Sequence, residues 1–423
     1  MIASSTALDP RDFALGGRLP AEAFAPSSVA ALAELLRTCD LRRRAVVLFG
    51  GGTLQSLANV PARLDVAISF ARMADVLEYE HRDLTIAVEG GLSVGSLDTA
   101  LAEHRQFLPL DAPRASIATV GGTLASGWLG PRRTMYGRPR DFVIGATVVL
   151  ADGTVAKSGG MVVKNSTGYD LAKLYVGSMG TLAAIVRANF KTLPLPPMRR
   201  LAIAGLPEGT RARAIAHVNA LAVDPAAALL VNGVEKEIEG RDGLDGRIIL
   251  LYEGSERLVE SATRELRSSL GSAGLPETRL LDRDASIAFA HLIDAYVALL
   301  PKRSATYRSI GPASDASLRH DIASSVARAS DLNIETIEDL RSGDVIARVS
   351  SPATAHFEER LLAFDSALRT ELPETRVLAA PEESRARLDG WGKPPASLKA
   401  MREVKARFDP NGTLGPGRYV GAI

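Results

Sequence analysis

The sequence predicts an α+β protein made of two domains and a returning tail, and three observations carry that prediction. Short apolar runs alternate with amphipathic stretches along the whole chain. Three glycine-rich loops all fall before Leu195. The run "KTLPLPP", Lys191 to Pro197, holds three prolines in four positions, which stops both helix and ladder and marks a boundary. The expected divisions are therefore residues 1–195, residues 196–385, and a C-terminal helix and tail at 386–423 that returns to the first domain.

Within the first domain, "PSSVAALAELLRTC" (26–39) reads as an amphipathic helix with Ser27 or Ser28 as its cap and Val29, Leu32, Leu35 and Leu36 on one face. Val46 to Phe49 reads as a buried strand running into Gly50, Gly51 and Gly52. Glycine inside a regular element costs about 0.5–1 kcal/mol relative to alanine, so such a triplet marks a backbone approached closely by a ligand or by another part of the chain. A loop of this kind can turn several N–H groups toward one anion, or it can be a tight turn and nothing more. Thr85 to Glu89 gives another strand, followed by a helix with Val94, Leu97 and Leu101 on one face. "VVLADGTV" carries a hairpin signal at Asp152-Gly153. The second domain alternates strand-like "MRRLAIAGL", "AALLVNGV", "GRIILLYEG", "ATYRSIGPAS" and "DVIARVSS" with helical "EGTRARAIAHVNAL", "SERLVESATRELRSSL" and "AHFEERLLAFDSALRT". Helices on one face of a mostly antiparallel sheet are expected there.

Composition excludes several functions. Fifty basic and 49 acidic residues among 423 leave a net charge of +1, which offers no field to nucleic acid or an anionic membrane. The N-terminus has no signal-like pattern, and no apolar run approaches the ~18 residues of a spanning helix, so a cytoplasmic protein without a transmembrane segment is expected. Cys39 is the only cysteine, which excludes an internal disulfide and a cysteine-ligated iron–sulfur cluster. His81, His104, His217, His291, His320 and His356 show no local ligand spacing, and no metal is expected. Neither an ATP-binding G-x-x-x-x-G-K-[ST] nor a Rossmann G-x-G-x-x-G is present. "GLSVG" (91–95) matches a nucleophile elbow, yet Ser93 equally fits the N-cap of the helix that follows.

The second glycine-rich region, Pro113 to Gly153, has side chains trimmed along a long path, with Gly121, Gly122, Gly127 and Gly130 beside the hydroxyls of Ser116, Thr119, Thr123 and Ser126. The third includes Gly159, Gly168 and Gly177-Ser178-Met179-Gly180. The ordered set "FGGGT", "ATVGGTLASGWLGPRR…YGRPRDFVIGATVVLADG" and "GGMVVKNSTGYDLAKLYVGSMGTL" resembles the FAD-binding domain of the vanillyl-alcohol oxidase and p-cresol methylhydroxylase superfamily. "SGWLGPRR", "RDFVIGA" and "VVKNSTGYDLAKL" resemble, more narrowly, the FAD-binding subunit of bacterial glycolate oxidase.

That resemblance implies a two-lobed PCMH-type FAD-binding domain followed by the antiparallel cap. Phe49, Gly50, Gly51, Gly52 and Thr53 would cradle the FAD pyrophosphate. Ser116, Thr119, Gly121, Gly122, Ser126 and Gly127 would line the flavin and its ribityl chain, and Gly180, Thr181 and Ile185 would lie along the adenine side. No histidine stands near the first loop to tether flavin, so FAD is expected to be bound non-covalently. Gly415 stands where relatives carry the asparagine of an Asn-Pro-Gly turn, which removes a polar contact expected near the flavin. The histidine cluster with which related 2-hydroxy-acid dehydrogenases hold metal is missing.

The implied reaction is oxidation of glycolate or a related 2-hydroxy acid. Such a reaction needs a cation for the substrate carboxylate and a base for the hydroxyl. Arg308 is the expected cation, with Arg133 and Arg138 as alternatives; Lys164 and Tyr169 lie in the most motif-like segment but equally fit structural roles. The implied partners are a sister FAD-linked subunit and an iron–sulfur subunit, or a quinone, through which the chain would lie at the inner membrane. A free-standing FAD-linked dehydrogenase for another hydroxy acid or alcohol, a flavin-bearing scaffold subunit and a degenerate module without flavin are the alternatives.

Overall fold

The computed structural model describes residues 5–161, 170–233, 244–296, 303–351 and 356–423. It has two compact units. The first comprises Met1–Leu129, Arg138–Leu195 and Glu382–Ile423, and the second Gly130–Gly137 and Pro196–Pro381. The proline run supplies one boundary, although Leu193–Pro194 still pairs with Phe107 and Gln106 in a two-residue ladder. The octapeptide Gly130–Gly137 leaves the glycine loop to join the second unit. There Arg132 Nη1 lies 3.3 Å from Glu253, and Arg133 lies 3.4 Å from Asp339 and 2.7 Å from Asp344.

The first unit holds two sheets. One runs Ser5–Leu8, Glu22–Pro26, Val66–Ser69, Val46–Phe49, with the first pair antiparallel and the others parallel. The other is antiparallel in the order Val76–Glu80, Thr85–Glu89, Ala184–Lys191, Val143–Val149, Val155–Gly159. The expected first helix is Val29–Leu41, capped by Ser28, whose Oγ accepts from Ala31 N at 3.2 Å. Its face of Leu32, Leu35, Leu36 and Cys39 packs on Val46, Val66, Ile68, Val149 and Ala184, so one core joins strands of both sheets. Leu414 of the tail is buried in that core, bridging Val46 in parallel. Burial pushes the Cys39 thiol up to about 11.

The second unit is one eight-stranded sheet in the order Arg279–Leu281, Met198–Gly205, Arg247–Gly254, Ala227–Asn232, Asn333–Asp339, Val345–Ser350, Ser304–Ser309, Arg376–Ala379. Every neighbouring pair is antiparallel. Helices Arg211–Asn219 and Glu256–Ser272 bury Ala214, Val218, Val259, Leu266 and Leu270 against Ala202, Leu230, Ile248 and Leu250 of the sheet. The helix Ala316–Ala329 and the strand Asn333–Asp339 were not apparent in the sequence, because their apolar positions are mostly alanines or are interrupted by Glu335, Glu338 and Asp339.

Candidate functional site

A cleft open to solvent lies wholly within the first unit. Three chain segments make most of its walls: the turn after Val46–Phe49, the approach to and first turns of the helix Val120–Ser126, and the stretch Met179–Ile185 before and into its strand.

Gly50, Gly51, Gly52 and Thr53 all line the cleft. A Cβ on Gly51 would lie 1.7 Å from the carbonyl oxygen of Ile117, and one on Gly50 would lie 2.0 Å from Thr119 Oγ1. These two positions are therefore glycine because a second loop presses on them from behind. Gly52 differs: φ is +71° and nothing stands within 4 Å of its would-be Cβ. Among the described residues the amides of Gly51, Gly52 and Thr53 donate to no acceptor. Free amides at the wall of an open cleft are the donor set that a diphosphate requires.

The second wall corrects an expectation. The glycine-rich stretch that begins at Pro113 is not loop throughout. Thr119 caps a helix at Val120–Ser126, its Oγ1 accepting from Gly122 N at 3.2 Å. Gly121 donates to the Gly90 carbonyl at 2.7 Å, and a Cβ there would sit 2.8 Å from that oxygen. The glycines thus let a helix pack onto the turn after Thr85–Glu89. Thr119, Gly121, Gly122 and Ser126 line the cleft as expected. Ser126 Oγ donates to Thr123 O at 3.0 Å.

Gly180 and Ile185 also line the cleft, with Gly180 at φ +71°. Four expected residues do not reach it. Phe49 belongs to the core, edge-on to Phe13 at 5.1 Å. Ser116 lies exposed in the loop before Thr119. Gly127 is the left-handed C-cap of the helix, where a Cβ would meet Gly177 Cα at 2.8 Å. Thr181 turns away, its Oγ1 donating to Ser178 O at 2.7 Å and its carbonyl accepting from Lys405 Nζ at 2.7 Å. The cleft also includes Leu48, Leu54, Gln55, Phe70, Gly90 and Met179, which sequence reasoning missed. Only Gly90 carried a signal, as the first of two glycines after a strand. The described lining residues include no His, Cys or Tyr.

The tail fixes this site from behind. Lys405 Nζ also donates to Leu414 O at 2.8 Å and pairs with Asp409, whose Oδ1 and Oδ2 accept from Thr413 N and Leu414 N, each at 2.8 Å. Gly415 adopts φ +52° and donates to Val46 O at 2.8 Å; it is absent from the cleft lining, so its conformation rather than a cofactor contact explains the glycine. Ser93 is an N-cap, its Oγ accepting from Ser96 N at 3.0 Å.

Arg308 lies in the second unit, buried on Ser304–Ser309, and its Nε donates to Asp344 Oδ2 at 2.6 Å. Arg133 shares that carboxylate. Arg138 is on the first unit, where its backbone N–H donates to Asp141 Oδ2 at 2.8 Å. Lys164, Gly168 and Tyr169 lie outside the described residues. Among the described residues no group of three or more His, Cys, Asp and Glu side chains could hold a metal ion, and no helix is long and apolar enough to cross a membrane.

The family model described as "FAD binding domain" matches residues 20–170. The chain is 26% identical over 426 residues to the glycolate oxidase subunit GlcD of Bacillus subtilis (strain 168), covering 95% of this chain and 89% of that protein. It is 27% identical over 418 residues to the D-lactate dehydrogenase of Archaeoglobus fulgidus, covering 93% and 90%. Among solved structures, p-cresol methylhydroxylase with substrate bound superposes with a TM-score of 0.71 at 15% identity, covering 95% of this chain and 88% of that one.

Proposed function

We propose that the chain is an FAD-dependent oxidoreductase acting on the CH–OH group of a 2-hydroxy acid; the match of residues 20–170 to the FAD-binding domain model and the fold shared with p-cresol methylhydroxylase support this reading. The observation that carries the cofactor assignment is the open cleft with the unengaged amides of Gly51, Gly52 and Thr53 at its wall. When bound there, FAD supplies a two-electron acceptor for the hydrogen on the substrate's α-carbon. The amides hold the diphosphate, while Leu48, Phe70, Ala183 and Ile185 give the cleft an apolar wall that excludes water. We take FAD to be bound non-covalently, since no histidine stands near the first glycine loop in the sequence.

Glycolate is the first substrate to try, and D-lactate the second, following the names of the two relatives that align over nearly the whole chain. Arg308 is our candidate for the substrate carboxylate. Asp344 fixes its guanidinium, so an arriving carboxylate would share that cation with Asp344 instead of meeting an open charge. The name of the first relative and the "SGWLGPRR" motif support a subunit that passes electrons to a sister flavoprotein, an iron–sulfur partner or a quinone. The D-lactate dehydrogenase alignment favours a second reading, a dehydrogenase acting by itself.

The test is an absorption spectrum of the purified chain followed by anaerobic addition of glycolate and D-lactate. FAD that bleaches with either acid establishes a catalytic subunit. FAD that remains oxidised until a sister subunit is added establishes an electron-transfer role, and failure to bind FAD after reconstitution would overturn the proposal.

A further inference from the structure

Behind the glycine cradle lie two arginines that no carboxylate among the described residues neutralises. Arg418 is 1% exposed, and its Nη2 donates to Gln55 O at 3.1 Å and to Gln55 Oε1 at 2.8 Å, with Nη1 3.5 Å from Asn59 O. Arg385 donates through Nη1 to Ser56 O at 2.7 Å and through Nη2 to Ala58 O. All these acceptors are neutral and belong to residues 55–59, the segment that follows Gly50–Leu54. Gln55 itself lines the cleft and donates to Leu48 O at 2.8 Å.

Neither guanidinium has an ion-pair partner among the described residues. Among the described residues Glu382 is the one carboxylate whose field reaches Arg385, and its Oε1 is engaged by Gly17 N at 2.6 Å. Arg385 Nε is buried with no acceptor among the described residues. Burying a cation without an anion is expensive. Burial accordingly pulls Arg418 down to about 9 and Arg385 to about 10, and Arg385 adds a like charge beside Arg418. At neutral pH both remain charged, and no anion of the described residues balances them.

We propose that Arg385 and Arg418 form the electrostatic half of the cofactor site: their charges, uncompensated by protein, are neutralised by the diphosphate of FAD held on the amides of Gly51–Thr53. This rests on the FAD reading above. The residues act through the intervening segment 55–59 and position the anion without touching it. Two positive charges in a poorly solvated wall act on a dianion at longer range than surface charges do, because salt screens them little. The tail thereby reports to the cradle: Trp391 Nε1 donates to Arg418 O at 2.9 Å, and Asn59 N donates to the same carbonyl at 3.1 Å.

The experiment titrates FAD into the full apo chain by flavin fluorescence and measures the apo melting temperature for wild type, R418Q, R418K, R385Q and R385K. The expected result is FAD affinity about tenfold or more lower in each Gln variant and within roughly threefold of wild type in each Lys variant. Gln and Lys alike lose hydrogen bonds to the carbonyls of residues 55–59, so both should lower the apo melting temperature; affinity must follow charge instead. Should R418Q fail to fold, the Arg385 pair decides, since that side chain is only partly buried in the tail. Lys variants as weak as Gln variants would make both arginines purely structural and overturn the inference. Gln variants as tight as wild type would overturn it too, leaving the FAD reading intact, whereas a wild-type chain that binds no FAD overturns both.

Discussion

Gly50, Gly51 and Gly52 are adjacent, yet they are glycine for different reasons. At Gly51 a methyl group would lie 1.7 Å from a backbone oxygen that cannot rotate away. G51A should therefore cost roughly 1–3 kcal/mol or more, the range for forced overpacking, and show it as a lower melting temperature of the apo protein. At Gly52 only the left-handed φ resists, about 1–2 kcal/mol. A methyl there projects into open space at the cradle, so G52A should weaken FAD affinity out of proportion to its effect on apo stability. Equal apo destabilisation in the two variants would contradict this division. Cys39 gives a second check. Its thiol is buried and pushed up to about 11, so the native protein should react with a maleimide at pH 8 far more slowly than the chain in urea. Because the folded thiol holds its proton longer than the unfolded one, stability should also fall as pH rises from about 9 toward 11. The glycine triplet was legible as an anomaly from sequence alone. The agent pressing on its first two members was not, since Ile117 and Thr119 are distant in the chain and carry no mark of the contact.

At the level of elements, helices with a continuous apolar face were readable and those built on small residues were not. Val94, Leu97 and Leu101 announced the helix Val94–Ala102. Val120–Ser126 was hidden because its glycines signal a loop, and only the cap from Thr119 and the buried Val120 and Leu124 hold it. Ion pairs were equally hidden. Arg308 was singled out from its strand, but Asp344 stands 36 residues later, across the antiparallel pair Ser304–Ser309 and Val345–Ser350. Asp344 serves Arg308 and Arg133 together, so D344A should strip the carboxylate from the buried Arg308 and one of two from the half-buried Arg133, and cost about 3–5 kcal/mol. D344N keeps the volume and should lose nearly as much, since charge is what the arginines require. A melting-temperature series of D344A, D344N and the double variant R308M/D344L tests this: the apolar pair should recover part of the loss.

For the whole molecule, the chain order of the units has a consequence for folding. The first unit is interrupted by the second and is completed only by Glu382–Ile423. That tail contributes Leu414 to the core between the two sheets, Lys405 to the carbonyls of Thr181 and Leu414, and Arg385 and Arg418 to the segment behind the cradle. By contrast, the main core of the second unit draws every member from Ala202 to Leu340 and owes nothing to the tail. A chain ending at Pro381 should therefore lose the first unit and keep the second. Calorimetry of the full chain should show FAD raising the transition that belongs to the first unit. In the truncated chain that transition and its FAD shift should vanish while the other persists, because the buried Val46, Val66 and Ile68 lose Leu414 and the cradle loses its backing. Adding residues 382–423 as a separate peptide should restore FAD binding in part, at the entropic cost of making an intramolecular contact bimolecular. FAD affinity unchanged by the truncation would mean that the cradle stands without its tail, and that the burial of Leu414 and Arg418 is incidental to the site.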